Sequence, residues 1–266
     1  MPFEYQHRLI PMDREQFGIV SFDVLRDVFL IHNSLGRFFD ESVYKSVLAE
    51  LRTDTVLEFW IDVSFDTFRK RYLVDAVVQD GAIFEFKSVE KLTAAHEAQL
   101  LHYLMLCDLR HGMLINVRNG SVEHRFVNNA MTLAERKSFE TTHSDWNHAV
   151  AEYEQFRNHV VSMVNDFGTG LERSLYEKAV IQFYGGIDHV ERRLQVFCKS
   201  KPVGYQRFRL LTPELAFKIT TMEDQTQQSR FIEHTRKMLK HVPLDAILWV
   251  NIARHEVSFR ALGQKD

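Results

Sequence analysis

Hydrophobic positions in the first half of the chain change between helical and strand-like spacing. Two segments with helical periodicity come first, and the first of them runs up to Gly36, a residue that commonly ends a helix. Strand-like segments follow, interrupted by a third helix. The predicted helices are 22–34, 39–51 and about 93–109, and the predicted strands are 57–65, 71–78, 82–89, 113–117 and 122–127. The pattern therefore predicts the order ααβββαββ, with a hairpin turn at Asn119-Gly120.

The second half of the chain has nearly the same order of segments. A charged stretch with helical character covers about 131–166 and leads to Gly168. A helix, a strand, a strand pair, another helix and two final strands are predicted after it. They are 171–184, 190–198, the pair around Thr212-Pro213, about 225–240, 246–252 and 256–261. The recurrence of this order indicates an internal repeat.

Individual residues recur as well. A glycine followed eight positions later by a tyrosine occurs at residues 36–44 and again at 168–176, an offset of 132. Asn116 matches Asn251 at an offset of 135. Two matches at nearly the same offset favour two tandem copies of one α/β unit, with a boundary near 131–150. One domain with coincidental similarity is the alternative.

Composition limits the function classes without selecting one. The net charge is −3, so no overall basic field indicates nucleic-acid binding, although a local basic face is compatible with it. Cys107 and Cys198 form no CxxC pair; we expect both to be reduced and buried, which favours a cytoplasmic protein. The first residues lack the apolar segment of a signal peptide, and no apolar run is long enough to span a bilayer, so no membrane association is expected.

The loop between the second and third predicted strands sets their register. It has three residues, Gln79-Asp80-Gly81. Such loops use a type I turn followed by a left-handed residue, for which Gly81 is suited. Val78 then faces Ala82. A two-residue loop would shift the pairing by one position and move every side chain to the other face.

Counting outward from that pair places Asp75 directly opposite Glu85, and Lys87 projects from the same face two residues later. Adjacent carboxylates repel each other, and a divalent cation would relieve the repulsion. Oxygen ligands suit Mg²⁺ or Mn²⁺, which can activate a water molecule and stabilise charge on a phosphate. The register therefore predicts a metal site here. An ordinary Glu–Lys pair on a solvated strand is the alternative.

These residues also carry a family resemblance. Residues of about 22–128 resemble the GxxExxY family, a group within the PD-(D/E)XK nuclease superfamily. The family has an Asp, then Glu-x-Lys, preceded by a helical Glu; Phe38 departs from it, because a second Gly is usual there. The similar stretches are His32, LGRFFDESVY (35–44), YLVDAVV (72–78), IFEFKSVEKLTAAHEAQLLHY (83–103) and GMLINV (112–117).

The resemblance implies roles for the residues that match the pattern. Asp75 and Glu85 would be direct metal ligands, and the carbonyl of Phe86 would be a possible third. Glu41, at the start of the second helix, would help to hold the metal. Lys87 would help to activate water. Without the resemblance, Glu41 alone reads as an ordinary charge on a helix surface.

The third helix presents His96, Gln99 and Tyr103 on one face, at spacings of i, i+3 and i+7. This resembles the Gln-x-x-x-Tyr motif of RecB-like nucleases, where the helix contacts nucleic acid, and we predict substrate binding by these residues and by His32. Packing of Gln99 and Tyr103 against the sheet is the alternative, as is a core or capping role for His32.

The second half lacks these ligands. Ala216-Phe217-Lys218 is predicted to be the counterpart of the Glu-x-Lys segment, with Leu210 facing Ala216, and Arg173 occupies the helical Glu position. The resemblance thus implies two tandem restriction-endonuclease-like units, each a mixed β-sheet flanked by helices. Residues 1–130 would hold the intact site, and residues 131–266 a linker helix and a degenerate repeat.

Two functions follow from these observations. The first is a metal-dependent nuclease that hydrolyses phosphodiester bonds of DNA or RNA, and of these two partners we expect DNA. The second is a binding scaffold for nucleic acid or protein on a nuclease fold, because fold does not guarantee function. In either case the second repeat would complete a pseudo-dimer, shape a substrate groove, self-associate or bind a protein partner.

Overall fold

A computed structural model describes residues 2–263 as an α/β protein with two mixed sheets flanked by helices. The chain divides into two compact units. The first comprises the residues up to Ser64 together with Arg69–Leu133. The second comprises Phe65–Phe68 and the chain from Ala134 onward.

The first unit contains one six-stranded sheet and three helices. Its strands are β1 (Phe3–Tyr5), β2 (Thr55–Phe65), β3 (Phe68–Val78), β4 (Ala82–Lys87), β5 (His111–Asn116) and β6 (Glu123–Asn128), and its helices are α1 (Arg14–Leu35), α2 (Glu41–Leu51) and α3 (Ala94–Leu106). The sheet order is β1-β2-β3-β4-β5-β6. β4 and β5 are parallel across α3, whereas the β3–β4 and β5–β6 pairs are antiparallel. This confirms the predicted order ααβββαββ and adds the short strand β1.

Helix α1 begins eight residues before its predicted start. Asp13 and Gln16 form a capping box, in which the Asp13 carboxylate accepts a hydrogen bond from the Gln16 backbone N–H. The helix ends at Gly36, as predicted, where φ is 76° and the backbone N–H donates to the carbonyl of His32. Apolar residues of α1 and α2 pack on one face of the sheet and form the core of this unit.

The β3–β4 hairpin has the predicted register, because Val78 pairs with Ala82. The predicted turn conformation is wrong. Gln79 and Asp80 carry the positive φ values, 50° and 56°, and Gly81 does not. A side chain at Gly81 would lie 2.0 Å from the carbonyl oxygen of Ile10, so close backbone approach is what requires a glycine there.

The second unit has a sheet of the same size. Its strands are β7 (Glu140–Ser144), β8 (Glu191–Cys198), β9 (Lys201–Thr212), β10 (Leu215–Thr220), β11 (Ala246–Ile252) and β12 (Glu256–Gly263), and its helices are α4 (Leu133–Lys137), α5 (Ala151–Phe167), α6 (Arg173–Phe183), α7 (Ile187–Val190) and α8 (Gln225–Leu239). The sheet order is β7-β12-β11-β10-β9-β8. β10 and β11 are parallel across α8, as β4 and β5 are across α3.

Two sequence predictions for this half are wrong. The stretch 131–166 is not one helix, because β7 lies within it and pairs in parallel with β12. Cys198 is exposed rather than buried, since it ends β8 beside a turn in which Lys199 and Ser200 have positive φ values. Cys107 is buried, and both cysteines are free.

Two hydrogen-bonded features occur in both units. The hydroxyl of Tyr44 donates to the carbonyl of Gly36 at 2.6 Å, and the hydroxyl of Tyr176 donates to the carbonyl of Gly168 at 2.6 Å. In each unit the matching asparagine side chain forms hydrogen bonds with both the backbone N–H and the backbone carbonyl of a single residue, which follows the central strand of the sheet. Asn116 bonds the N–H and carbonyl of Val89. Asn251 bonds those of Met222.

Among the described residues, no helix combines the length and apolar composition that a bilayer crossing requires.

Candidate functional site

Asp75 and Glu85 lie on the neighbouring strands β3 and β4 of the first unit. The adjacent pair is Ala76 with Phe84, so the register brings Asp75 opposite Glu85. The Asp75 carboxylate accepts a hydrogen bond from the backbone N–H of Phe86 through Oδ2 at 2.8 Å. The contact between Phe86 and Asp75 is thus made by the Phe86 amide.

Lys45 is a member of this cluster that sequence analysis missed. Its ammonium group lies 2.6 Å from Oδ1 of Asp75 and 2.6 Å from Oε1 of Glu58, and the side chain is buried. Burial opposes its charge, but the hydrogen bonds to Asp75 and Glu58 raise the pKa of Lys45 above its usual value. The available signal was its position four residues after Glu41, on the same face of α2.

Glu85 is the most buried carboxylate of the cluster, with 2% of its surface exposed. Lys87 donates to its Oε1 at 2.8 Å. Among residues 2–263, no group donates a hydrogen bond to Oε2. Burial, together with the charge of Asp75, raises the pKa of Glu85 to about 7. Burial therefore destabilises the ionised form of this carboxylate, and the positive charge of Lys87 offsets that effect only in part.

Glu41 opens α2 and faces the same cluster. Burial and the charge of Asp75 raise the pKa of Glu41, while Lys87, Lys45 and the nearby backbone of Ser88 lower it. Helix α2 therefore brings both a carboxylate and a cation to the end of the strand pair.

The carboxylate oxygens of this cluster are suited to binding a hard divalent cation such as Mg²⁺. Asp75 and Glu85 offer adjacent carboxylate oxygens, and the unpaired Oε2 of Glu85 is a free, buried acceptor. Within the part of the chain that the structure describes, no three Asp, Glu, His or Cys side chains converge as a ligand cluster. Mg²⁺ is commonly bound by one or two carboxylates, with waters and substrate phosphate as the other ligands. Two protein carboxylates are compatible with that mode.

The predicted substrate-binding residues of α3 lie beside one another but are not equally accessible. Gln99 donates to the hydroxyl of Tyr103 at 3.1 Å, and the Tyr103 ring is buried against Tyr72. His96 accepts a hydrogen bond from the Thr93 N–H and so helps to cap α3. Of this face, Gln99 and His96 remain partly exposed.

His32 lies in the last turn of α1 and is buried. Its Nε2 is 3.1 Å from the carbonyl oxygen of Asn119, in the loop between β5 and β6. The ring also stacks near Tyr44, with 6.4 Å between the ring centroids. His32 therefore connects its own helix, α1, with α2 and with the loop between β5 and β6.

In the second unit, Ala216 pairs with Leu210, as predicted. The predicted counterparts of Glu85 and Lys87 are shifted, however. Lys87 is the residue that pairs with Asn116, whereas Asn251 pairs with Thr220. Measured from the matching asparagines, Thr220 stands at the position of Lys87, and Lys218 at the position of Glu85. The turn before β10 is one residue shorter and is followed by a bulge, which sequence alignment alone did not reveal.

Comparison with known proteins places the first site within a nuclease-type match. A family model described as "PD-(D/E)XK nuclease superfamily" matches residues 20–128, which include Glu41, Asp75, Glu85 and Lys87. Nucleases of this superfamily typically use divalent metal ions. No curated protein matches the chain.

A solved structure described as "Crystal structure of SSO0001" aligns with 46% of the chain at 15% identity and a TM-score of 0.28, too low to indicate a shared fold. The aligned part spans 60% of that structure's chain.

Proposed function

We propose that the first unit is a metal-dependent nuclease of the GxxExxY type that hydrolyses phosphodiester bonds of DNA or RNA, and that the second unit is a degenerate copy. The observation that carries the proposal is the register that places Asp75 opposite Glu85 and beside Lys87, inside the residues that match the superfamily. Adjacent carboxylates repel each other, and the burial of Glu85 adds a desolvation cost that a bound cation would relieve.

The roles follow from the contacts. Asp75 and Glu85 would be the ligands for Mg²⁺ or Mn²⁺, and Glu41, whose charge is coupled to that of Asp75, would add a further oxygen. The bound ion would supply Lewis-acid stabilisation of phosphate charge. Lys87 holds a positive charge 2.8 Å from Glu85, where it can orient the attacking water. Lys45 positions Asp75 through its 2.6 Å contact.

An exposed aromatic residue beside α2 supports a nucleic-acid substrate. Phe38 is 74% exposed, and the guanidinium groups of Arg37 and Arg118 lie 5.1 and 5.6 Å from the centre of its ring. Its neighbour Phe39 accepts a hydrogen bond from Ser88, next to the carboxylate cluster. A flat ring flanked by two cations is suited to stacking on a base while the cations attract phosphates.

The matching features of both units support the duplication. The tyrosine–glycine bond and the asparagine clamp recur with the same donors and acceptors, and both units have a parallel strand pair across a helix. Lys218 stands at the position of the ligand Glu85 and supplies no carboxylate there, and Thr220 replaces Lys87. We therefore assign the hydrolytic site to the first unit alone.

The test is cleavage of single- and double-stranded DNA and RNA with Mg²⁺ or Mn²⁺, comparing the wild type with Asp75→Ala. Asp62→Ala is the matched control, since Asp62 is a carboxylate of β2 that pairs with Arg71 outside the site. Cleavage by the wild type and by Asp62→Ala, with loss in Asp75→Ala, is expected. Equal activity in all three proteins would contradict the proposal.

A non-catalytic scaffold is the second candidate function. It is favoured by Lys45 and Lys87, whose ammonium groups already pair with Asp75 and Glu85. The same assay separates the two functions. A scaffold binds nucleic acid without cleaving any substrate, and its affinity does not depend on divalent ions.

A further inference from the structure

The second unit has a basic cluster around one buried carboxylate. Glu177 of α6 is 6% exposed, and its carboxylate oxygens lie 2.9 Å from Arg209, 3.7 Å from Arg173 and 3.9 Å from Lys218. Among the described residues, Glu177 is the one carboxylate that forms an ion pair with these three cations. One negative charge therefore faces three positive charges.

Two of these cations also line a cavity of about 340 Å³. Its walls come from β8, β9, β10, β11 and α8. The lining contains the cations Arg207, Arg209 and Lys218, the carboxylate of Glu191, which pairs with Arg207, and apolar side chains that include Phe208, Phe231 and Met238. A cavity lined by both cationic and apolar side chains suits a ligand that carries an anionic group on a flat organic body.

The cluster carries more positive than negative charge, which a bound anion would balance. Burial lowers the pKa of Lys218; Glu177 opposes this shift, while Arg173 and Arg209 add to it. An anion within reach would relieve the repulsion among the cations. Guanidinium groups bind phosphate in a bidentate manner, and such bonds to charged groups are among the strongest hydrogen bonds in proteins.

We propose that this cavity binds a nucleotide unit, with its phosphate on Arg209 and Lys218 and its base against the apolar wall. The cations Arg207, Arg209 and Lys218 outnumber the carboxylates that pair with them, those of Glu191 and Glu177, which suits an anionic phosphate. The apolar part of the lining gives a base a surface to pack on. The site lies wholly within the second unit and does not depend on hydrolysis in the first.

The experiment measures binding to the full chain by calorimetry without divalent ions. The probes are inorganic phosphate, AMP and a short single-stranded oligonucleotide. Lys218→Gln is the test variant, because Lys218 is 40% exposed and its loss leaves the closer pair of Glu177 with Arg209 in place. Lys237→Gln is the matched control, since Lys237 is an exposed lysine of α8 that pairs with Glu233.

Loss of one charged contact is expected to weaken AMP or oligonucleotide binding by about tenfold in Lys218→Gln and to leave it unchanged in Lys237→Gln. Binding of AMP identifies a free nucleotide as the ligand, and binding of the oligonucleotide alone identifies a strand. Equal affinities in the two variants, binding of inorganic phosphate alone, or no binding of any probe would overturn the proposal. AMP binding is measured without divalent ions and without cleavage, and it depends on Lys218 of the second unit, so failure of the nuclease proposal would leave this result unchanged.

Discussion

The carboxylate cluster of the first unit and the basic cluster of the second have opposite charges around equivalent helix positions. Lys45 follows Tyr44, and Glu177 follows Tyr176, and each is the buried ion at the centre of its cluster. Around Lys45 and Lys87 stand four carboxylates, those of Glu41, Glu58, Asp75 and Glu85. Around Glu177 stand three cations.

This difference shows that the scaffold and its chemistry are separable. The tyrosine and asparagine contacts are the same in both units and hold the helix and the central strands. The charges at the site differ in sign, because each set surrounds a buried ion of the opposite charge. An excess of carboxylates favours a metal cation, whereas an excess of cations favours a phosphate.

The largest expected effect comes from Glu85→Gln. Removal of the buried carboxylate takes away one of two ligand groups, and cleavage should fall by more than about 100-fold, since metal stabilisation of phosphate charge is worth several kcal/mol. Glu233→Gln makes the same change at an exposed position of α8 in the second unit and should cleave like the wild type. Single-turnover rates measure both; a similar fall in both variants would remove the contrast between the units.

Asn116→Ala and Asn251→Ala test the shared scaffold. Each removes the side chain that bonds both backbone groups of one residue, Val89 or Met222. Each should lower the free energy of unfolding of its own unit by about 2 kcal/mol, because backbone groups lose their partners. Urea unfolding measures the loss. A cost in one unit and none in the other would show that the two asparagines are not equivalent.

Phe38→Gly tests a site at which the two units differ. Gly170 stands at the corresponding position of the second unit, at the offset of 132. Loss of the exposed ring should weaken single-stranded nucleic-acid binding by about tenfold, since stacking of one base is worth about 1–3 kcal/mol. The control is Phe22→Ala, at an exposed position of α1, because a glycine there would itself destabilise the helix. This variant should bind single-stranded nucleic acid as the wild type does. Fluorescence anisotropy with a labelled strand gives the affinities.

Tyr44→Phe and Tyr176→Phe should have the smallest effects. Each deletes one hydroxyl that donates to a glycine carbonyl at 2.6 Å, and each should cost about 1 kcal/mol of stability. Thermal unfolding of the two variants is the measurement. If the two variants differ in stability by much more than about 1 kcal/mol, the tyrosine–glycine hydrogen bond contributes unequally to the two units.

The register of the site was predictable from the sequence because it depends on local geometry. A three-residue loop fixes Val78 opposite Ala82, and alternation along the strands then brings Asp75 to Glu85. Lys45 was not predictable in the same way, because its contact with Asp75 depends on how α2 packs against the sheet. The role of Gly81 was missed for a similar reason, since Ile10 is distant in sequence.

The second unit was harder to predict at two points. β7 reads Glu-Thr-Thr-His-Ser, a short polar segment whose strand conformation depends on its pairing with β12. The shift that places Lys218 at the position of Glu85 depends on a bulge after a shorter turn. Neither the parallel pairing nor the bulge has a local sequence pattern that would have identified it.

The most direct test is calorimetric titration of the full chain with Mn²⁺, comparing the wild type with the double variant Asp75→Asn/Glu85→Gln. One divalent ion per chain is expected for the wild type and none for the double variant, because the second unit offers no carboxylate pair at the ligand positions. Unchanged binding in the double variant, or two ions per chain in the wild type, would contradict a single metal site formed by Asp75 and Glu85.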